Sequence, residues 1–253
     1  MPPYPTNDMA HIRDIRPSAL EIKFLLDPAT AAGVASWARA NLAPDPNGTG
    51  SWGDEYLTTS LYFDNSSHDV FHRRGSFGRS KYRIRRYGEE SSAFLERKMR
   101  QPAVLAKRRT RLSCADLDQL SVATVDPEWE GYWFHRRVAA RQLRPVCQVS
   151  YARMARGGAS DGHPIRLTLD HDLRVQPVER HEFQQGGGIA AAPDLFILEL
   201  KYQGTSPALF RRLAEEFALT PQAASKYRLG LAALGKTAPI PSAPGESIQA
   251  SYA

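Results

Sequence analysis

Short runs of the chain alternate apolar and polar residues with a period of two, and the polar positions in these runs are mostly charged. Leu20, Ile22 and Phe24 share one face of a predicted strand over Leu20–Leu26, with Glu21 and Lys23 on the other. Arg79–Tyr87, Ala93–Arg100 and Val104–Leu112 read as three successive strands joined by short turns. Further strands are predicted at Tyr56–Phe63, Pro145–Ala155, Ile165–Leu169 and Leu195–Tyr202. Helical runs fall at Pro28–Leu42, with Asp27 as N-cap and Pro28 in the first position, and at Ser66–Arg73. Others start at the N-cap box Ser113-Cys114-Ala115-Asp116 and cover Pro127–Leu143, Pro207–Ala218 and Ser225–Leu234. Pro44–Gly50 reads as a loop. About eight strands, interrupted by helices without a regular βαβ rhythm, predict an α+β fold built on a mainly antiparallel sheet or barrel.

Composition adds limits. The 253 residues, 42% hydrophobic and 24% charged, belong to a globular chain. No uncharged run exceeds 11 residues, too few to cross a bilayer, and Met1-Pro2-Pro3-Tyr4-Pro5 does not start a secretory signal. A cytoplasmic location is expected. Cys114 and Cys147 cannot build a disulfide framework and lack metal-ligand spacing. Residues 1–17 read as an N-terminal extension, 18–235 as the folded domain, and 236–253 as a Pro/Ser/Ala-rich tail expected to be disordered.

Charge changes the picture once it is mapped. The 33 basic residues comprise 26 arginines and 7 lysines against 27 acids, for a net +6. Phe71–Arg111 holds 14 of those cations and only three acids, so this segment carries +11 against an acidic remainder. Clustering of this kind points to a polyanionic partner. Within it, Lys81, Arg83 and Arg85 share a strand face, as do Glu96 and Lys98, and Lys107, Arg109 and Arg111. Glu-x-Lys occurs inside three predicted strands, at Glu21/Lys23, Glu96/Lys98 and Glu199/Lys201. Converging inside a barrel, such faces form a cationic cavity that holds polyphosphate, with a few carboxylates for a divalent metal. Desolvation and mutual repulsion of so many cations argue for a ligand. On an outer face, the same residues would form ordinary cross-strand Glu/Lys pairs. Six of the seven lysines, including Lys226, lie in strands or at helix starts.

Seven segments recur together in a familiar order: Glu21-Ile22-Lys23, Tyr82–Gly88, Phe94–Lys98, Tyr151-Ala152-Arg153, Arg166–Asp170, Leu198–Lys201 and Ser225-Lys226-Tyr227. They resemble the motifs of the VTC domain, the polyphosphate polymerase domain of the vacuolar transporter chaperone complex, in the CYTH-like triphosphate tunnel metalloenzyme superfamily. The resemblance spans residues 18–235. It implies an eight-stranded antiparallel barrel, with helices packed outside, that moves the γ-phosphate of ATP onto a polyphosphate chain with Mn²⁺ or Mg²⁺. Carried over by position, Lys23, Arg83, Arg85, Lys98, Lys107, Arg153 and Lys201 bind phosphate and Glu199 holds the metal, with Glu21 and Glu96 as further metal candidates. Lys226 sits beside the transferred phosphoryl group as the catalytic residue. The expected partners are ATP and polyphosphate or pyrophosphate, with no nucleic acid.

Two departures accompany the resemblance. The cyclase-like branch begins Glu-x-Glu-x-Lys, whereas Ala19 stands two residues before Glu21 here. Neither the inositol-phosphate-sensing domain nor the membrane segment of the eukaryotic complexes is found in this sequence, so coupling of synthesis to translocation is not expected of this chain alone, and a membrane partner protein stays open. A triphosphate or tripolyphosphate hydrolase in the same tunnel and a non-catalytic polyanion-binding module are the competing functions.

Two other motifs are set aside. Gly230–Thr237 has Walker A spacing, but its first half is helical and Ala-Pro-Ile-Pro follows, so Gly235 reads as a helix C-terminal cap. Gly158–Gly162 has nucleophile-elbow spacing, but it joins two strands and reads as a turn.

Overall fold

Asp27 both ends the first strand and starts the first helix. Its carboxylate accepts hydrogen bonds from the amides of Ala29 and Thr30 at 2.9 and 3.0 Å, and Pro28 occupies the first helical turn. The computed structural model describes residues 20–46, 48, 53–100 and 105–236. The predicted extension 1–17, and the predicted tail beyond Lys236, lie outside the described residues. The chain runs β1 (Leu20–Leu26), α1 (Pro28–Asn41), β2 (Ala43–Pro44), β3 (Glu55–Asp64), α2 (Asp69–His72), β4 (Ser80–Tyr87), β5 (Ser92–Arg100) and β6 (Leu105–Ser113). It continues through α3 (Tyr132–Ala140), β7 (Arg144–Ser160), β8 (His163–Pro177), β9 (Ile189–Ala190), β10 (Phe196–Tyr202), α4 (Ala208–Glu216) and α5 (Lys226–Ala233).

The strands form one antiparallel sheet in the order β1-β10-β8-β7-β3-β4-β5-β6, with β2 added to β7 and β9 to β8. The fold is therefore α+β with helices outside the sheet, the class the alternation predicts. Its closure differs from the expected barrel. Among the described residues no ladder joins β1 to β6; instead Lys98 on β5 reaches Glu21 on β1 at 3.2 Å. The sheet curls until its two ends meet through side chains.

Helices cover the apolar outer face. Ala31, Val34 and Ala38 of α1 and Phe210 and Leu213 of α4 pack on Phe24, Leu26, Leu167, Leu198 and Leu200. Each fully buried leucine here contributes roughly 1.5–3 kcal/mol. On the other half, Trp133, Phe134 and Val138 of α3 join Leu61, Phe63, Ile84, Leu95 and Leu112 in the core. The alternation leaves the opposite face, with its charges, turned inward.

Two elements depart from the sequence-based expectation. The hairpin β7–β8 is much longer than predicted, because Gly157 and Gly158 continue the strand instead of breaking it. A side chain at Gly158 would meet Leu42 Cδ2 at 3.2 Å. The turn itself is Asp161-Gly162, with φ of 53° and 76°, the left-handed pair that a tight two-residue hairpin needs. Helix α3 starts at Tyr132 and not near Pro127, because Asp126 folds the preceding residues into a turn, its carboxylate and carbonyl accepting from Glu128 N and Trp129 N at 2.9 and 3.0 Å. Gly235, at φ 65°, follows the end of α5 as the predicted cap.

Candidate active site

Sheet register decides how the inward charges meet. Antiparallel pairing of β1 with β10 sets two Glu-x-Lys runs head to tail, with Glu21 opposite Lys201 and Lys23 opposite Glu199. Each carboxylate therefore faces an ammonium. Across β4, β5 and β6 the rows differ. Lys81, Lys98 and Lys107 stand side by side, Arg83 and Arg109 flank Glu96 in the next row, and Arg85 and Arg111 flank Phe94 in the third. Like charges directly opposite one another on a sheet are destabilising, so the lysine row favours an anion between its members.

These faces enclose a chamber of about 700 Å³ continuous with a deeper one of about 110 Å³. Ten Lys/Arg side chains and three carboxylates line the larger chamber. Arg83, Arg85, Lys98, Arg153 and Lys201 border both chambers, Lys107 the larger and Lys23 the deeper. All seven expected phosphate-binding residues are thus brought together around one cavity. Glu199 and Lys226 line its deep end.

At that end Lys226 Nζ lies 2.6 Å from Asp170 and 3.1 Å from Glu199, with its ammonium 4.9 Å from the centre of the Tyr151 ring. Burial disfavours its charge, but Asp170 and Glu199 outweigh burial and raise its pKa further above the lysine range. Lys226 therefore stays an ammonium at neutral pH. Glu199 also accepts from Lys23 at 2.6 Å and pairs with Lys201 at 3.3 Å. Burial and Glu199 push Glu21 up, yet Lys23, Lys201 and Lys98 hold its carboxyl at about 2. Arg153 grips Asp170 through two bonds of 2.6 and 2.7 Å. Glu96 is committed to a different set of cations, Arg83, Lys107 and Arg109. Arg85 donates to the hydroxyls of Ser60 and Tyr151, each at 3.1 Å, and pairs with no carboxylate among the described residues.

A family model for the VTC domain matches residues 18–235. The chain belongs to the VTC domain family. Its fold is that of the triphosphate tunnel proteins, similar to a candidate adenylate cyclase from Bacillus halodurans at TM-score 0.51 and 18% identity, over 83% of this chain and 94% of that one. A candidate adenylyl cyclase from Hippeastrum, whose structure was described with a dominant triphosphatase activity, aligns at TM-score 0.44 and 16% identity over 84% of this chain and 94% of that one. The PH1819 protein of Pyrococcus horikoshii aligns at 0.46 and 12%, over 87% and 99%. No curated protein matches the sequence.

Four residues that bear on this VTC domain's cavity carry no role assigned from the sequence: Asp170, Lys81, Asp64 and Tyr227. Asp170 is the largest omission, because it holds both Arg153 and Lys226. Its signal was the position two residues after Thr168, on the inward face of β8 (Arg153 lies directly opposite). Lys81 faces inward as its alternation implied, but it lacks a carboxylate: among the described residues it donates only to Ser225 Oγ, at 3.0 Å. Asp64 and Tyr227 anchor the helix that carries Lys226. The Tyr227 hydroxyl donates to Asp64 at 2.5 Å, and its ring stacks on Tyr62 at 5.2 Å. Asp64 meanwhile accepts from the amides of Asn65, Val70 and Phe71. Tyr227→Phe, which deletes one bond to a buried carboxylate, is expected to cost about 1–3 kcal/mol in urea unfolding. A change within experimental error would remove Asp64 as the anchor of α5.

The carboxylates bear on the metal expectation. Among the described residues no three Asp, Glu, His or Cys side chains gather into a metal-binding group. Mg²⁺ and Mn²⁺ need less, however, since one or two carboxylates together with substrate phosphates satisfy them. Glu199 and Glu21 fit that sparse set, because they share Lys23 at 2.6 and 3.0 Å and line the deeper chamber together. Glu96 borders the larger chamber and pairs with Arg83, Lys107 and Arg109 instead. No described helix is long and apolar enough to cross a membrane.

Proposed function

We propose that this VTC domain is a metal-dependent polyphosphate polymerase that transfers the ATP γ-phosphate to a growing chain. The observation that carries the reading is the placement of Lys226 at the deep end of a cavity whose walls are cationic. Phosphoryl transfer needs positioning and neutralisation of charge more than a protein nucleophile. Arg83, Arg85, Lys98, Lys107, Arg153 and Lys201 bind and align phosphate oxygens, and Lys23 supports them from β1. Lys226, fixed by Asp170 and Glu199, presents a permanent positive charge to the phosphoryl group in transit. Glu199, with Glu21, holds Mn²⁺ or Mg²⁺, which supplies Lewis-acid neutralisation of phosphate oxygens when bound.

Incubating the protein with ATP and Mn²⁺ and resolving the products on a polyphosphate-stained gel tests the proposal. Long chains support it. Orthophosphate alone would assign a triphosphate hydrolase instead, and binding of polyphosphate without ATP turnover would leave a polyanion-binding module.

The pH dependence is a further check. Burial, followed by Lys23, Lys98, Arg73 and Arg83, pushes the Lys81 ammonium down to about 7. Below that pH Lys81 is charged and attracts phosphate; above it the charge is lost. Tripolyphosphate affinity is expected to fall as pH rises from 6 to 8, by up to tenfold for each unit above about 7. Lys81→Met should flatten that slope in titration calorimetry; an unchanged slope would assign it to another group.

A further inference from the structure

The cations of the cavity do not stop at its wall. Ala224 and Ser225 border the deeper chamber, and the helix that follows them, α5, carries Lys226 and Arg228 in its first turn and no acid there. Cations at a helix amino end oppose the helix dipole, which favours negative charge at that position. Lys226 is compensated from the inside by Asp170 and Glu199. Arg228 is not: its guanidinium lies 5.6 Å from the centre of the Phe71 ring, its Nε is buried without a hydrogen-bond partner, and it has no ion pair among the described residues.

A second uncompensated cation stands beside it. Phe71 packs edge-on against Tyr227 at 6.3 Å, which brings the end of α2 to the start of α5. Arg73 follows that end, exposed and in the left-handed conformation at φ 56°, and repels both Arg228 and Lys81. It too makes no ion pair among the described residues, whereas its neighbour Arg74 pairs with Asp69 at 3.1 Å. Lys81 links this cluster to the chamber, since it lines both cavities and touches the α5 N-cap Ser225. Three cations without carboxylates thus lead from the chamber wall to the surface.

We propose that Arg73 and Arg228, with the amino end of α5, form an outer phosphate-binding site next to Lys81, which takes the part of a linear polyphosphate that extends beyond the chamber. The ligand is a chain of phosphates, because the cluster offers separated positive charges at a helix amino end that has no acid in its first turn. This inference rests on the chamber itself being a phosphate site. A short anion such as tripolyphosphate would be held in the chamber and would not need the outer cations.

The test measures binding of long-chain polyphosphate and of tripolyphosphate to the wild type and to Arg73→Glu, Arg228→Glu and Arg74→Glu. Arg74→Glu changes the net charge equally but removes an arginine that is already paired. The expected result is a loss of about tenfold or more in long-chain affinity for Arg73→Glu and Arg228→Glu, with the slope of log affinity against log salt shallower by about one. Tripolyphosphate affinity should stay within about twofold, and Arg74→Glu should behave as wild type. Unchanged long-chain affinity, equal losses for both ligands, or an equal loss in Arg74→Glu would each overturn the outer site. Arg73→Gln and Arg228→Gln, with thermal melts, replace the reversals if these unfold. Wild-type protein that binds neither ligand would instead overturn the phosphate reading of the chamber, and the outer site with it.

Discussion

Replacing Lys226 with methionine is expected to slow ATP turnover about a thousandfold, or roughly 4 kcal/mol in the barrier, while ATP affinity changes only a few-fold. The split follows from geometry. Lys226 is one of many cations around the phosphates, so the bound ground state loses a small share of its attraction. Under the proposed function the phosphoryl group in transit develops charge on its equatorial oxygens beside Lys226, whose ammonium Asp170 and Glu199 hold in place. The fold should tolerate the change, because Arg153 still pairs with Asp170, and Lys23 and Lys201 still pair with Glu199. Methionine also keeps most of the side-chain volume. Turnover assays beside titration calorimetry of ATP read the two effects separately. Equal losses in rate and affinity would make Lys226 a binding residue only.

Asp170→Ala should have the largest effect on stability, about 3–5 kcal/mol, because it strips one carboxylate from two buried cations. Asp170 is almost completely buried, and Arg153 and Lys226 are nearly so. Both cations are almost withdrawn from solvent, and Glu199 would be left as the carboxylate that compensates Lys226. Urea unfolding of Asp170→Ala against wild type measures the loss; less than about 1 kcal/mol would show that the cluster is hydrated. A pH series sharpens this test. Burial raises the Asp170 pKa, but Arg153 and Lys226 lower it more, so the net shift is downward. The carboxylate therefore stabilises the fold above the unfolded aspartate pKa, and that contribution disappears as acid titrates the folded group. Asp170→Ala should accordingly lose less stability than wild type does between neutral pH and strong acid.

The inward faces were legible because a strand has a period of two. Once Ile22 and Phe24 are assigned to a core, Glu21 and Lys23 have only the other side, and the same holds for Lys81, Arg83 and Arg85. The charges themselves then argue for a ligand, whatever the topology. Asp170 could not be found this way. A single aspartate on a predicted strand is unremarkable until β7 and β8 pair in the register that sets it against Arg153. The extent of that hairpin was hidden as well, because two glycines look like a break when the close approach of Gly158 to Leu42 is unknown.

From the sequence alone come the α+β class, the positions of the main strands along the chain, the cationic face and the motifs that place the chain among VTC domains. These depend on local periodicity and on residue types at short spacing. The tertiary structure alone decided which acid compensates which base. Glu199 and Lys226 are 27 residues apart, Lys81 and Ser225 are 144, and Lys98 and Glu21 are 77. Such contacts depend on how far the sheet curls and where α5 enters it, and neither is encoded in any one segment. Curling also explains how a sheet with no closing ladder among the described residues still forms a chamber: Lys98 and Glu21 join its two sides electrostatically.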